Sequence, residues 1–167
     1  TTEFAVASNP EFLREGLAVE DCLHPDRIVI GTASAAARDL LHRLYAPMVE
    51  RETQFVDMDV RSAELTKYAA NSFLAMKVSF INEVANLCEQ VGADVEAVRR
   101  GIGPDPRIGE KFLQAGIGYG GSCFPKDVEA LLHTSKAAGY DFRLLRSIVD
   151  VNQSQKIRLI QKLETYF

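Results

Sequence analysis

No run of apolar residues in the sequence reaches the length of a membrane span, and no charged-then-apolar segment opens it. A lipid partner is therefore not expected. An excess of positive charge is missing too. The 19 Lys and Arg against 23 Asp and Glu leave a formal charge of -4, which gives no electrostatic footprint for nucleic acid or an anionic surface. Cysteine is scarce. Cys22, Cys88 and Cys123 are odd in number, far apart and without a C-x-x-C pair. That argues against a disulfide framework or a structural zinc site, and favours reduced thiols in the cytoplasm. No metal is expected, and one thiol is a candidate for reactivity. Internal repeats and low-complexity segments are absent. So is an initiator methionine: TTEFAVAS enters a strand-like run almost at once, as a fragment of a longer chain would. What is present is 167 residues, 47% hydrophobic and 25% charged, enough for one globular domain or one small domain joined to part of another.

From Phe4 to about Asp57 short apolar runs alternate with helical ones. FAVAS is followed by a helical stretch from Leu17 to Leu23, the strand-like RIVIGT, a helix from Ala35 to Tyr45, and the strand-like QFVDM. Strand, helix, strand, helix, strand is the rhythm of a parallel α/β sheet. Three short strands belong to a larger sheet, and no glycine-rich turn follows the first: FAVAS runs into Asn9 and Pro10. From Ser62 the reading is helical, without Pro or Gly until Gly92, which suits a C-terminal cap. At about 1.5 Å per residue that predicts a rod of roughly 45 Å. Its middle, Phe73 to Ile81, carries apolar residues around most of the circumference, predicting burial on several sides. A partner subunit could supply the cover that one small domain cannot. Asp94 opens a short helix closed by Gly101, and Pro104 and Pro106 mark a loop. Another helix runs from Pro125 to Gly139, with a helical reading continuing near Tyr140 and Asp141. The last begins near Leu144, with Leu145, Ile148, Val149, Ile157, Leu159 and Ile160 as apolar positions. The N-Q-S triplet at Asn152 reads as chance.

The stretch GIGYGGSCFPKD, Gly116 to Asp127, satisfies the G-x-G-x-x-G spacing at Gly116, Gly118 and Gly121. A dinucleotide fingerprint also needs a strand before it, a helix after it and an acidic residue closing the next strand. EKFLQA precedes the glycines and reads as helix or loop, so the context fails the pyrophosphate reading. The alternative centres on Cys123. Pro125 suits the first turn of a helix, and Asp127 and Glu129 complement its positive end. Cys123 then sits at a helix N-terminus beside Lys126, two features that favour a thiolate. Local chemistry equally allows a small buried residue in a tight turn.

On the long helix Lys67 and Asn71 are four residues apart and share a face. Asn82, Asn86 and Glu89 fall within the same third of the circumference, a polar stripe that faces water or lines a site. Near the start, NPEFLREG places Glu11 and Glu15 four apart.

NPEFLREG, AELTKYAANSF, FINE, RIG-x-x-FL and GYGGSCFPKD together resemble the nucleotide-sugar dehydrogenases, in order along most of the chain. The resemblance implies a mixed, mainly α fold. Residues 1–60 are the C-terminal part of a Rossmann-like α/β NAD-binding domain. Residues 61–167 are an all-α central domain with one long core helix, which makes a homodimer and carries a catalytic cysteine. It implies NAD as cofactor and the four-electron oxidation of a sugar C6 alcohol to a carboxylate through a cysteine thiohemiacetal and thioester. Cys123 is the implied nucleophile. Lys67 and Asn71 stabilise the oxyanion, and Lys67 also exchanges a proton with the alcohol. Glu11 and Asp127 are the candidate bases. Glu15, Cys123 and Lys126 border the nicotinamide. Phe12, Leu13 and Glu15, with Glu11, Lys67 and Asn71, border the sugar. Phe112, Gly118, Tyr119 and Gly120 lie toward the uridine, and Arg107 reaches the substrate from a neighbouring subunit. RIG-x-x-FL before GYGGSCFPKD resembles the UDP-glucose branch, with GDP-mannose and UDP-N-acetylsugar branches as alternatives. A fragment without the glycine turn is expected to be inactive alone.

Three rival readings stand beside this one. A two-electron 3-hydroxyacid-type dehydrogenase would use Lys67 and Asn71 but not Cys123. A helical dimerisation module would have no catalysis. A thiol redox sensor is disfavoured, because no resolving cysteine is near in sequence.

Overall fold

The computed structural model describes residues 4–49 and 53–167. The expected 1–60 span therefore includes six positions, 1–3 and 50–52, that lie outside the described residues. The chain divides into two compact units, one ending at Lys67 and the other running from Tyr68 to Phe167.

The first unit holds a three-stranded sheet in the order β1 (Ala7–Ser8), β2 (Arg27–Thr32), β3 (Gln54–Met58). β2 reads as a near-continuous apolar run because it is enclosed on both faces: Ile28, Val29, Ile30 and Thr32 are all buried. β2 and β3 are parallel, with Ile28 opposite Phe55 and Ile30 opposite Asp57. The connecting helix α2 (Ala35–Tyr45) starts at Ser34, whose Oγ accepts the Ala37 N–H at 3.2 Å. The all-parallel expectation fails at the first strand. β1 is only two residues long and pairs antiparallel to β2, Ala7 opposite Thr32. A parallel return needs a crossover helix packed on the sheet. The helix in this connection, α1 (Ala18–Leu23), has six residues and buries none of them.

Helix α3 (Val60–Val91) begins in the first unit and continues into the second. Asp59 caps it, Oδ1 accepting the Ser62 N–H at 3.0 Å and Oδ2 the Ser62 hydroxyl at 2.5 Å. Those bonds hold the Asp59 carboxyl below the usual carboxylate range. Gly31 lets the strand meet this helix: a Cβ there would lie 2.4 Å from the Ala63 Cβ. At its far end the chain leaves through Gly92 at φ 73°, the left-handed cap that the sequence implies.

The second unit is all helical: the rest of α3, α4 (Val95–Ile102), α5 (Phe124–Ala137) and α6 (Arg143–Tyr166). Ala75 of α3, Tyr119, Val128 and Leu131 of α5, and Leu145 and Ile148 of α6 form its core. Asp94 caps α4 as expected, but Gly101 does not close it. The helix continues to Ile102 and ends at Gly103, whose N–H bonds to the Arg99 carbonyl at 2.9 Å. Gly101 lacks the positive φ of a left-handed cap. Tyr140 and Asp141 fall between α5 and α6 rather than in a helix, because Gly139 at φ 73° has already turned the chain.

Burial along the two long helices is one-sided. Ala75, Ser79, Ile81 and Asn82 are enclosed, whereas Phe73, Phe80 and Leu87, seven residues apart, are 54–60% exposed. Within a single chain the expected cover on several sides of α3 is therefore incomplete. On α6, Leu145 and Ile148 reach the core, but Ile157, Leu159 and Ile160 are exposed. Two residues of the polar stripe of α3 are paired with α6, although Glu89 stays exposed. Asn86 Nδ2 donates to Gln155 Oε1 at 3.0 Å, and Glu89 accepts from Arg158 at 2.6 Å and from Lys162, all partners on α6.

The Lys162 and Arg158 bonds hold the Glu89 carboxyl below its usual range. A depressed folded pKa contributes stability that is present above the unfolded pKa and lost as pH falls through the folded one. Glu89→Gln should therefore lower stability at pH 7 by up to about 1 kcal/mol, the size expected of an exposed pair. The difference should vanish in acid, as read by urea denaturation at pH 7 and pH 3.

Candidate active site

In the first unit, residues 9–16 form irregular backbone held from several sides. Asn9 Nδ2 donates to the Val29 carbonyl of β2 at 2.8 Å, and its Oδ1 accepts the Tyr45 hydroxyl at 2.5 Å. Glu11 Oε2 accepts the Leu13 N–H at 2.7 Å. The Lys67 ammonium donates to the Glu11 carboxylate at 2.8 Å and to its backbone carbonyl at 2.6 Å. The Phe12 ring lies under the Arg27 guanidinium, 3.9 Å from its centroid, with Lys67 5.5 Å away. Arg14 and Asp21 pair through both the Arg14 backbone N–H and its guanidinium, and the segment turns at Gly16 with φ 82°. Asp21 raises the Arg14 pKa in return. Glu15 is exposed. Glu11, Phe12, Leu13 and Lys67 thus lie close together. Asn9, the first residue of NPEFLREG, completes the arrangement with Asp21, Arg27 and Tyr45, which carry no sequence signal beyond residue type.

In the second unit, Cys123 stands at the N-cap of α5, exposed, with Sγ 3.6 Å from the Ser122 hydroxyl. Pro125 occupies the first turn, where its missing N–H leaves no helical bond unmade. One turn on, Asp127 is buried. Its Oδ2 accepts from Asn71 Nδ2 at 2.6 Å, its Oδ1 from the Lys126 ammonium at 2.5 Å, and its N–H bonds back to the Cys123 carbonyl at 3.0 Å. The bond to Asp127 raises the Lys126 pKa, and the Cys123 sulfur adds to the effect. Cys123, Lys126, Asp127 and Asn71 therefore form one connected group. Lys67 precedes Asn71 by one turn of α3, so both start from the same side of that helix.

The remaining expected residues lie in the connection between α4 and α5. Arg107 is exposed and folds onto Asp105 at 2.5 Å, which raises its pKa, while Lys77 holds the next carbonyls, Ile108 and Gly109, at 3.0 and 3.2 Å. Phe112 is at φ 66°, a costly conformation for a bulky side chain and the sole non-glycine case among the described residues. Its ring lies 5.8 Å from Phe124, which in turn meets Tyr119 at 6.0 Å. Tyr119 is a core residue, and burial, with Glu129 nearby, pushes its phenol pKa up. Gly118 has φ 99° and Gly121 φ 77°. Coil precedes these glycines, so they do not form a dinucleotide turn. Among the described residues no group of three His, Cys, Asp or Glu could hold a metal ion, and no helix is long and apolar enough to cross a membrane.

Comparison with known proteins supplies the family for both units. Residues 61–154 match the central domain of the UDP-glucose/GDP-mannose dehydrogenase family, and residues 1–49 match that family's NAD binding domain. The chain belongs to this family. It is 54% identical over 158 residues to UDP-glucose 6-dehydrogenase YwqF of Bacillus subtilis, covering 95% of this chain and 35% of that one. It is 52% identical to the UDP-glucose 6-dehydrogenase of Pseudomonas aeruginosa, covering 98% of this chain and 36% of the other. The solved UDP-glucose dehydrogenase of Pyrobaculum islandicum superposes with a TM-score of 0.94 at 43% identity, covering 98% of this chain and 37% of that one. The chain thus spans about a third of the length of the curated relatives it matches.

The buried Asn71–Asp127 bond makes a direct test of this geometry. Asn71→Asp would place two carboxyls at hydrogen-bond distance, so one must take up a proton and its folded pKa must rise. A raised pKa costs stability increasingly as pH climbs. The variant should lose roughly 2–3 kcal/mol at pH 8 and distinctly less at pH 5, measured by denaturant unfolding.

Proposed function

We propose that this protein oxidises the C6 alcohol of a nucleotide sugar, UDP-glucose by preference, to the carboxylate. The observation that carries the reading is the exposed Cys123 at the start of α5, one turn before the buried Asp127, whose N–H bonds to the Cys123 carbonyl and whose carboxylate accepts from Asn71 and Lys126. The similarity to relatives named UDP-glucose 6-dehydrogenase supports the choice of sugar.

NAD, when bound, supplies the acceptor for one hydride in each of two oxidations. The first leaves an aldehyde: the Lys67 ammonium passes a proton to the Glu11 carboxylate that it binds, and the amine so formed takes the alcohol proton. An aldehyde carbon has no readily given hydride until a nucleophile makes it tetrahedral. The Cys123 sulfur forms that C–S bond. The alkoxide of the thiohemiacetal is stabilised by the Lys67 ammonium and the Asn71 amide, donors matched to an oxyanion. Loss of the second hydride re-forms the carbonyl as a thioester. Water then adds, the C–S bond breaks, and the thiolate returns with the carboxylate. Each sugar consumes one water and releases two hydrides and three protons.

Of the two candidate bases, Glu11 suits the water better. Its side chain is 55% exposed, whereas that of Asp127 is 5% exposed and already accepts from Asn71 and Lys126. Asp127 then serves to hold those two donors. Glu15, Cys123 and Lys126 are assigned to the nicotinamide side. Phe12, Leu13, Arg107, Phe112, Gly118, Tyr119 and Gly120 are assigned to the nucleotide sugar. The exposed Phe73, Phe80 and Leu87 stripe supports a homodimer through α3.

In the full-length protein, a sugar-nucleotide panel should yield two NADH per UDP-glucose. One NADH per sugar would instead support a two-electron dehydrogenase. Cys123→Ser should lower acid formation by at least about a thousandfold, and unchanged turnover removes the nucleophile assignment. Phe80→Asp should shift the protein toward monomer in light scattering, and an unaltered dimer would place the interface elsewhere.

A further inference from the structure

Three carboxamides from two helices grip the glycine stretch by its backbone. Asn82 Oδ1 of α3 accepts the Gly116 N–H at 2.8 Å, and Gln155 Nε2 of α6 donates to the Gly116 carbonyl at 2.8 Å. Asn152 of α6 takes both polar groups of Tyr119: its Oδ1 accepts the N–H at 2.7 Å and its Nδ2 donates to the carbonyl at 3.1 Å. Asn152 is 6% exposed and Asn82 fully buried. Gly118 interlocks with the same amide, since a Cβ on it would lie 2.4 Å from Asn152 Oδ1. The peptide groups of Ile117, Gly118, Gly120 and Gly121, in contrast, have no hydrogen bond among the described residues.

We infer that Asn152 is a positioning residue for the nucleoside diphosphate part of the substrate. By holding the Tyr119 peptide at both ends it fixes the flanking Gly118 and Gly120 peptides, which keep free donors and acceptors for a ligand. Preorganising those groups raises affinity, because the loop need not be ordered on binding. A carboxamide, unlike an ionised carboxylate, offers a donor and an acceptor side by side to match one residue's C=O and N–H. The inference rests on the assignment of Gly118 and Gly120 to the substrate side.

The test is calorimetric binding of UDP, with GDP as second probe, to the full-length protein, which requires no turnover. In Asn152→Asp the acceptor for Tyr119 N–H remains, but an ionised carboxylate cannot donate to the Tyr119 carbonyl and repels it. UDP affinity at pH 8 should fall roughly tenfold against the parent, the effect of about one hydrogen bond. Burial and the facing carbonyl raise the pKa of that acid, and its protonated form restores the donor. At pH 5.5 the ratio of variant to parent should therefore recover to within about twofold. Parent-like affinity at pH 8 overturns the inference. So does a loss that persists at pH 5.5, which is what mere structural damage would give. Gly118→Ala, read at pH 8, should weaken UDP binding without any recovery in acid. If the aspartate variant is unfolded by circular dichroism, unchanged affinity in Gly118→Ala overturns the inference instead. Ile30→Val, a core change in β2 of the first unit, should leave UDP binding unchanged; if it weakens binding equally, the effect is one of stability and the inference falls. A parent protein that binds neither UDP nor GDP also overturns it, whereas the oxidation reading is judged separately by NADH yield.

Discussion

The bond from Asn71 to Asp127 is the constraint on which the helical unit's chemistry depends. Taking a carboxylate out of water costs several kcal/mol unless its oxygens are met by donors. Here one oxygen is met by Asn71 and the other by Lys126, with the positive end of α5 adding its partial charge. Because the Asp127 N–H also closes the first helical bond to Cys123, the carboxylate and the cysteine cannot be placed independently. A rotation of α5 that re-aimed the sulfur would break the α3 contact and leave a buried charge with one donor. The start of α5 is therefore set in orientation as well as in position.

The same economy holds for the irregular segment in the first unit. Residues 9–16 have no regular partner, yet Asn9, Glu11, Phe12 and Arg14 each receive a side chain or backbone group from a strand, a helix or a nearby loop residue. Lys67 is the shared term. Its ammonium binds both the Glu11 carboxylate and the Glu11 carbonyl, so in this state it is a bound cation. A proton-transfer role requires that the ammonium first give a proton to Glu11, since a cation has no free electron pair. Irregular backbone held by side chains from regular elements is the usual division of labour between loop and scaffold.

Much of this was legible in the sequence, and what was not shares one cause. Helix limits followed from local signals: Asp94 before α4, Gly92 and Gly139 after their helices, and Pro125 inside α5. Cys123 at a helix start followed from Pro125 with Asp127 and Glu129. The direction of β1 could not be read, because two residues carry no register and α1 was too short to serve as a crossover. The stripe of Asn82, Asn86 and Glu89 was seen, but not its use. Asn86 and Glu89 pair with Gln155 and Arg158, each 69 residues away, and helical periodicity does not report the partner on another element. Asn152 was passed over for the same reason. A lone amide in a polar triplet looks alike whether it faces water or clamps a loop.

The glycine spacing carries the sharper lesson. In a dinucleotide turn, glycines clear space so that a helix N-terminus can approach a pyrophosphate. At Gly118 the cleared space is filled by the Asn152 carboxamide, although a helix, α5, does follow Gly121. An identical pattern thus answers to a different demand, a protein amide in place of a phosphate. Missing side chains mark where something approaches the backbone closely; the element before the glycines, coil here and strand there, decides what that something is.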